Sequence, residues 1–162
     1  MNEPSHSSTL AGWREWVQLP GIGVPWIKAK LDTGAQTSAI HAHDMEAFDR
    51  DGADWVRFVV RPWQRSVADQ VVVESPLHDR RKVRSSSGHV QERFVVRMRL
   101  LLVGREVDAE VTLSNRDQMG FRMLIGREAL QQGFDVTSSR SFLGSRAPRA
   151  ARLRNKGADG TS

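Results

Sequence analysis

One short constellation in the chain has clear chemical potential. Asp32-Thr33-Gly34-Ala35 follows the strand-like run Val24-Pro25-Trp26-Ile27-Lys28-Ala29-Lys30-Leu31. A carboxylate set at the end of a strand, with a glycine close behind to permit tight backbone approach, can act as a general base on water. Peptide hydrolysis by carboxylates alone needs two of them, about 3 Å apart. Like charges that close share one proton: the ionised member activates the water and the protonated member polarises the carbonyl. The motif occurs once, so one chain supplies Asp32 and half of such a site. A homodimer with two-fold symmetry would supply the other half. There Thr33 would lock the loop by hydrogen bonds to the facing loop, Gly34 would allow the close approach, and Ala35 is small enough to sit beneath the partner loop. Asp-Thr/Ser-Gly arises by chance in roughly one chain in fifteen of this length, and it is also ordinary turn chemistry. The surrounding elements must therefore decide its meaning.

Those elements read as strands. Trp13 to Leu19 alternates, with Trp13, Glu15, Val17 and Leu19 on one side and Arg14, Trp16 and Gln18 on the other. Pro20-Gly21-Ile22-Gly23 is a turn, so this strand and the one entering Asp32 form a hairpin. Thr37 to Asp44 reads as a short strand or turn, Trp55 to Pro62 as a strand, and Gln70 to Glu74 as a β-branched run. Val90 to Val103 is the longest candidate strand. Arg105 to Leu113 alternates, with Val107, Ala109, Val111 and Leu113 on one face. Arg127 to Gln132, between Gly126 and Gly133, fits one short helix. Phe134 to Val136 and Ser141 to Leu143 read as final short strands. Many short strands and barely one helix predict an all-β closed barrel or sandwich. About ninety residues after Asp32, Leu124-Ile125-Gly126-Arg127 places two apolar residues and a glycine before the helix.

Composition sets outer bounds. With 162 residues, 39% hydrophobic and 27% charged, the chain is a single globular domain with an ordinary core. Residues 1–12 read as a flexible N-terminus, 13–144 as the domain and 145–162 as a disordered basic tail. That tail holds Arg146, Arg149, Arg152, Arg154 and Lys156 against Asp159, and so carries most of the +5 net charge. It could make weak, salt-dependent contact with nucleic acid. No apolar run approaches a membrane span and the first ten residues lack a signal-peptide core, so a cytoplasmic location is expected. The absence of cysteine excludes disulfides and thiolate metal sites.

Longer segments carry a family resemblance. Lys28 to Ala42, through Asp32-Thr33-Gly34-Ala35-Gln36-Thr37-Ser38-Ala39-Ile40-His41, resembles the opening motif of the small bacterial retropepsin-like family often labelled "ATP-dependent zinc protease". Val83-Arg84-Ser85-Ser86-Ser87-Gly88-His89, followed by Arg93-Phe94-Val95-Val96, resembles its middle hairpin. Thr112 to Met119 and Phe121 to Leu130 resemble its closing motif. The resemblance spans about residues 13–144. It implies a retropepsin-like (acid protease) barrel with one short C-terminal helix, in which Leu124, Ile125 and Gly126 pass under the Asp32 loop. It also implies aspartic endopeptidase activity in a homodimer. Some relatives accompany ligases that add glutamates to a ribosomal protein, and trim those tails, which implies an acidic, polyglutamate-like peptide substrate. Arg81 and Arg84 on the expected flap hairpin, with Arg93 and Arg116, are candidate carboxylate binders, because guanidinium pairs carboxylates bidentately. Ser114-Asn115 and Thr137 depart from the more acidic residues expected there.

The family label can be tested on residues. His41 and His43 share a strand face and could ligate one ion, which leaves a zinc peptidase as an alternative. No His-Glu-x-x-His and no phosphate-binding glycine loop occurs, so neither zinc nor ATP is expected as a cofactor. The five tryptophans could line a cleft, but core or interface positions are the commoner fate. A non-catalytic peptide-binding module on the same scaffold is a further alternative, because fold alone does not confer activity.

Overall fold

A computed structural model describes residues 7–63, 68–84, 87–115 and 120–152. Eleven strands and a short helix follow in chain order among the described residues: β1 (Thr9–Gly12), β2 (Arg14–Leu19), β3 (Val24–Leu31), β4 (Ser38–Arg50), β5 (Ala53–Val60), β6 (Val71–Pro76), β7 (Asp79–Arg84), β8 (Val90–Leu102), β9 (Arg105–Ser114), β10 (Met123–Ile125), α1 (Arg127–Leu130) and β11 (Phe134–Thr137), and residues 149–152 are helical as well. The expected all-β, retropepsin-like architecture is present. Six strands close on themselves: β10 pairs with β3, β3 with β2, β2 with β8, β8 with β9, β9 with β4, and β4 again with β10. β5 and β6 extend the sheet from the second half of β4, and β7 forms a hairpin with the first half of β8.

Alternation produces this ring. On β2, β3 and β9 every second residue is buried: Glu15, Val17 and Leu19; Ile27, Ala29 and Leu31; Val107, Ala109, Val111 and Leu113. The apolar ones among these side chains meet Ile40, Phe58, Leu100, Leu102, Met123 and Ile125 in one core. The β2–β3 connection is a 3-10 turn, Pro20–Ile22, closed by Gly23 at φ 76°, a left-handed conformation that suits glycine.

Several boundaries differ from the sequence reading. The segment taken as a flexible lead contributes β1, which pairs in parallel with β11, and Ala11 is buried. β4 runs thirteen residues, well past Asp44. A register shift between His43 and Glu46, with Asp44 at φ 53°, breaks the alternation that would have marked it as one strand. Ser141 to Leu143 is not a strand. It is held by single hydrogen bonds, such as Phe142 N–H to the Arg14 carbonyl at 3.0 Å. Part of the segment read as a disordered tail is ordered: residues 149–152 are helical, Ala147 is buried, and its carbonyl accepts a bond from Arg152 Nε at 3.1 Å. Arg154 and Lys156 lie outside the described residues. No helix among the described residues is long and apolar enough to cross a membrane.

The two ends of the domain are fastened by Glu15, which is fully buried. Its carboxylate accepts three backbone N–H groups: Gly12 at 2.7 Å, Leu143 at 2.9 Å and Gly144 at 3.0 Å. A buried carboxylate with this many donors fastens both β1 and residues 143–144, which have no ladder of their own, to β2. Glu15→Ala strands three donors, and should lower unfolding free energy by about 3 kcal/mol in urea titrations.

Candidate active site

Asp32 begins the loop joining β3 to β4, and the loop is shaped by β10. That three-residue strand lies between β3, to which it is parallel, and β4, to which it is antiparallel. Asp32 N–H extends the ladder by donating to the Ile125 carbonyl at 2.8 Å. Beyond β10, Arg127 N–H donates to the Ala35 carbonyl at 2.8 Å and Glu128 N–H to the Gln36 carbonyl at 3.0 Å. The free N–H groups of the first turn of α1 are thereby satisfied by the loop. Gly126 N–H donates to the buried Ser38 Oγ at 3.1 Å, and Arg127 Nη2 reaches Gln36 Oε1 at 2.7 Å. Gly126 must be glycine here. A Cβ would stand 2.6 Å from the Thr37 carbonyl carbon and 2.9 Å from the Ala35 oxygen, both backbone atoms that cannot swing aside.

Asp32 is half-exposed, and its Oδ1 accepts Gly34 N–H at 2.9 Å. That bond fixes the carboxylate over its own loop. Thr33 and Gly34, at the loop tip, are exposed, and Ala35 is half-buried behind them. The structure thus brings together Asp32, Thr33, Gly34, Ala35, Leu124, Ile125 and Gly126, an arrangement the family resemblance implied. Ser38 and Gln36, which hold the loop from beneath, had no role assigned from sequence. A small polar residue at a core-facing strand position was the available signal, because a buried hydroxyl needs a partner.

The arginines fare differently. Arg81 Nη2 donates to Glu110 at 2.6 Å and its Nε to Asp79 at 2.8 Å, so its guanidinium is already committed to carboxylates. Arg93 is half-buried on β8 directly opposite Arg81. Arg84 lies at the end of β7, and Arg116 lies outside the described residues. This hairpin joins the ring at β8, whereas Asp32 hangs from β3, β4 and β10. His41 and His43 do come together, with ring centroids 4.8 Å apart, and His41 is buried. Two imidazoles are fewer than the three protein ligands of a catalytic zinc site. Among the described residues no three His, Cys, Asp or Glu groups gather into a metal-binding cluster, so the donor set does not fit zinc.

The model of the RimB-like family, described as retropepsin-like aspartic endopeptidase RimB, matches residues 10–147. The chain belongs to this family. Among curated relatives, a probable alpha-L-glutamate ligase of Shewanella halifaxensis is 43% identical over 138 residues, which is 85% of this chain and 30% of the relative. A protein of the same name from Desulfotalea psychrophila is 47% identical over 121 residues, or 75% of this chain and 26% of the relative. The RimB-like chain thus spans less than a third of the length of these relatives. Among solved structures, the Legionella pneumophila protein Lpg0085, of unknown function, superposes with a TM-score of 0.71 at 25% identity. That match covers 85% of this chain and 98% of Lpg0085.

Two expectations follow from the geometry. Gly126→Ala forces the loop away from β10 and should lower stability by about 2–3 kcal/mol, read as a reduced denaturation midpoint. The second concerns pH. Hydrogen bonds from Arg81 hold the carboxyls of Glu110 and Asp79 below their usual range. A depressed native pKa contributes stability above the ordinary value, and this is lost as pH falls through the depressed one. Amide-exchange protection of the β7–β8 hairpin should therefore persist down to about the ordinary glutamate value of 4.5 and decline below it. Arg81→Gln should flatten that decline.

Proposed function

We propose that this RimB-like chain is an aspartic endopeptidase whose active site forms across a homodimer, with one Asp32 from each subunit. The observation that carries the reading is the construction of the Asp32 loop. Its carboxylate is held by backbone at the end of a strand, and the loop is braced from below by Gly126 and Ser38, while its tip, Thr33-Gly34, stays exposed. A rigid, exposed carboxylate loop suits face-to-face pairing with an identical loop on a two-fold axis.

In the pair, one Asp32 is ionised and takes a proton from water as the oxygen attacks the peptide carbonyl carbon. The other Asp32, protonated, donates to the carbonyl oxygen. The resulting gem-diol collapses: one hydroxyl gives its proton to the ionised aspartate as the carbonyl re-forms, the C–N bond breaks, the amide nitrogen takes the proton of the other aspartate, and acid and amine leave. The pair, and not either residue, sets the apparent pKa values. An acidic, glutamate-rich peptide is the substrate class we favour. Relatives named as probable alpha-L-glutamate ligases contain this segment within a longer chain, which supports a link to glutamate-containing products.

Asp32→Asn should abolish hydrolysis of a glutamate-rich peptide while leaving the unfolding midpoint nearly unchanged. Subunit mixing tests the dyad itself. As Asp32→Asn protein replaces wild type at fixed total concentration and subunits exchange, activity should fall as the square of the wild-type fraction. A linear fall would mean that each subunit carries a complete site.

A further inference from the structure

The outward face of the β2–β3 hairpin concentrates cations that no carboxylate balances. Alternation along β3 sends Ile27, Ala29 and Leu31 into the core, and Lys28 and Lys30 outward. Asp32 continues the outward series, since its N–H is still in the ladder with Ile125. Across the hairpin, Arg14 lies opposite Lys30, and Trp16 opposite Lys28. Arg14 lies 4.7 Å from the Trp13 ring centroid and 4.8 Å from that of Phe142. Lys28 Nζ is 5.8 Å from both Trp16 and Phe121. Trp13 meets Phe121 edge-on at 6.1 Å, and Trp16 stacks on Phe142 at 6.3 Å. Four aromatic rings and two cations thus form a closed circuit beside the β3 strand that ends in Asp32.

Elsewhere several surface arginines are paired with carboxylates. Arg50 meets Glu74, Arg57 meets Glu46, Arg81 meets Glu110, Arg97 meets Asp108 and Arg99 meets Glu106. Arg14, Lys28 and Lys30 have no such partner among the described residues, and Arg14 Nε is buried without a hydrogen bond. Burial, and then the Arg14 charge, push the Lys28 ammonium below its usual range. Holding two like charges together without a counter-ion costs free energy that an incoming anion would recover.

We propose that Arg14 and Lys30, backed by Lys28, are the specificity determinants of this site and bind carboxylate side chains of an extended peptide lying over the hairpin. Strand rise puts Lys30 and Lys28 roughly 7 and 13 Å behind Asp32, the spacing of alternate side chains in an extended substrate. The aromatic circuit holds the Arg14 and Lys28 stems in place, so less side-chain entropy is lost on binding. The proposal rests on the peptidase reading of Asp32, but its test does not require turnover.

The test measures binding to full-length Asp32→Asn protein by fluorescence anisotropy, with a labelled hexaglutamate peptide and its hexaglutamine counterpart. The glutamate peptide should bind more tightly. Lys30→Gln, at an exposed position that leaves packing intact, should weaken it about tenfold, as should Arg14→Gln, with the glutamine peptide nearly unaffected. Unchanged discrimination in the Arg14→Gln/Lys30→Gln double variant would overturn the proposal, as would equal affinity of the unsubstituted binding site for both peptides. Hydrolysis that survives Asp32→Asn would instead sink the peptidase reading, and Lys30-dependent discrimination would still stand beside it.

Discussion

The structure depends on the close contact between the end of β10 and the backbone of Ala35 to Thr37. β10 has only three residues, yet it must bond to β3 on one side and β4 on the other to close the ring. It can do so only if the chain leaving it passes directly under the loop that joins those two strands. Gly126 makes that passage possible, because no side chain fits between it and the loop backbone. Once the contact forms, Asp32, Ala35, Gln36 and Ser38 all find hydrogen-bond partners in Ile125 to Glu128. Closing the sheet and fixing the carboxylate are therefore one event, and a disturbance in either reaches the other.

This also explains how an exposed loop can be rigid. Loops that carry chemistry are commonly mobile, because few buried bonds hold them. Here the base of the loop is bonded to core strands while its tip remains open to solvent. The conformational cost of ordering the loop has been met by folding, so less remains to be met when a second loop or a substrate meets it. Glu15 plays a comparable part at the same open end of the hairpin, tying β1 and the segment after β11 to the strand that flanks β3.

Much of this was legible because it is local. Asp32-Thr33-Gly34, the alternation of β2, β3 and β9, and the apolar-apolar-Gly run before α1 each lie within a short window, where periodicity and glycine placement have direct structural meaning. Features set by distant pairing were not legible. β1 is recognisable only by its parallel partner β11, more than a hundred residues away, and β4 hides behind its bulge at Asp44. Charge roles were hidden for the same reason. Arg81 and Arg14 look alike as strand arginines, but the fold brings Glu110 to the first and Lys30 to the second. A sequence displays which cations exist; cross-strand register decides which are already neutralised.

Register thus gives the molecule an uneven electrostatic surface from an ordinary composition. Cross-strand pairs neutralise several arginines of the β4–β6 and β7–β9 regions, whereas Arg14, Lys28 and Lys30 on β2 and β3 meet no carboxylate among the described residues and add to the local positive field. They share a face with the one carboxylate that the loop holds rigid. A two-fold axis through the Asp32 loops would repeat that face on the other side of the dyad. An acidic strand crossing the axis would then meet cations on both flanks of the bond to be cut, whereas a single subunit offers them on one. The incompleteness of Asp32 and the imbalance of charge beside it have a common resolution: the same symmetry that supplies the second carboxylate supplies the second half of the binding face.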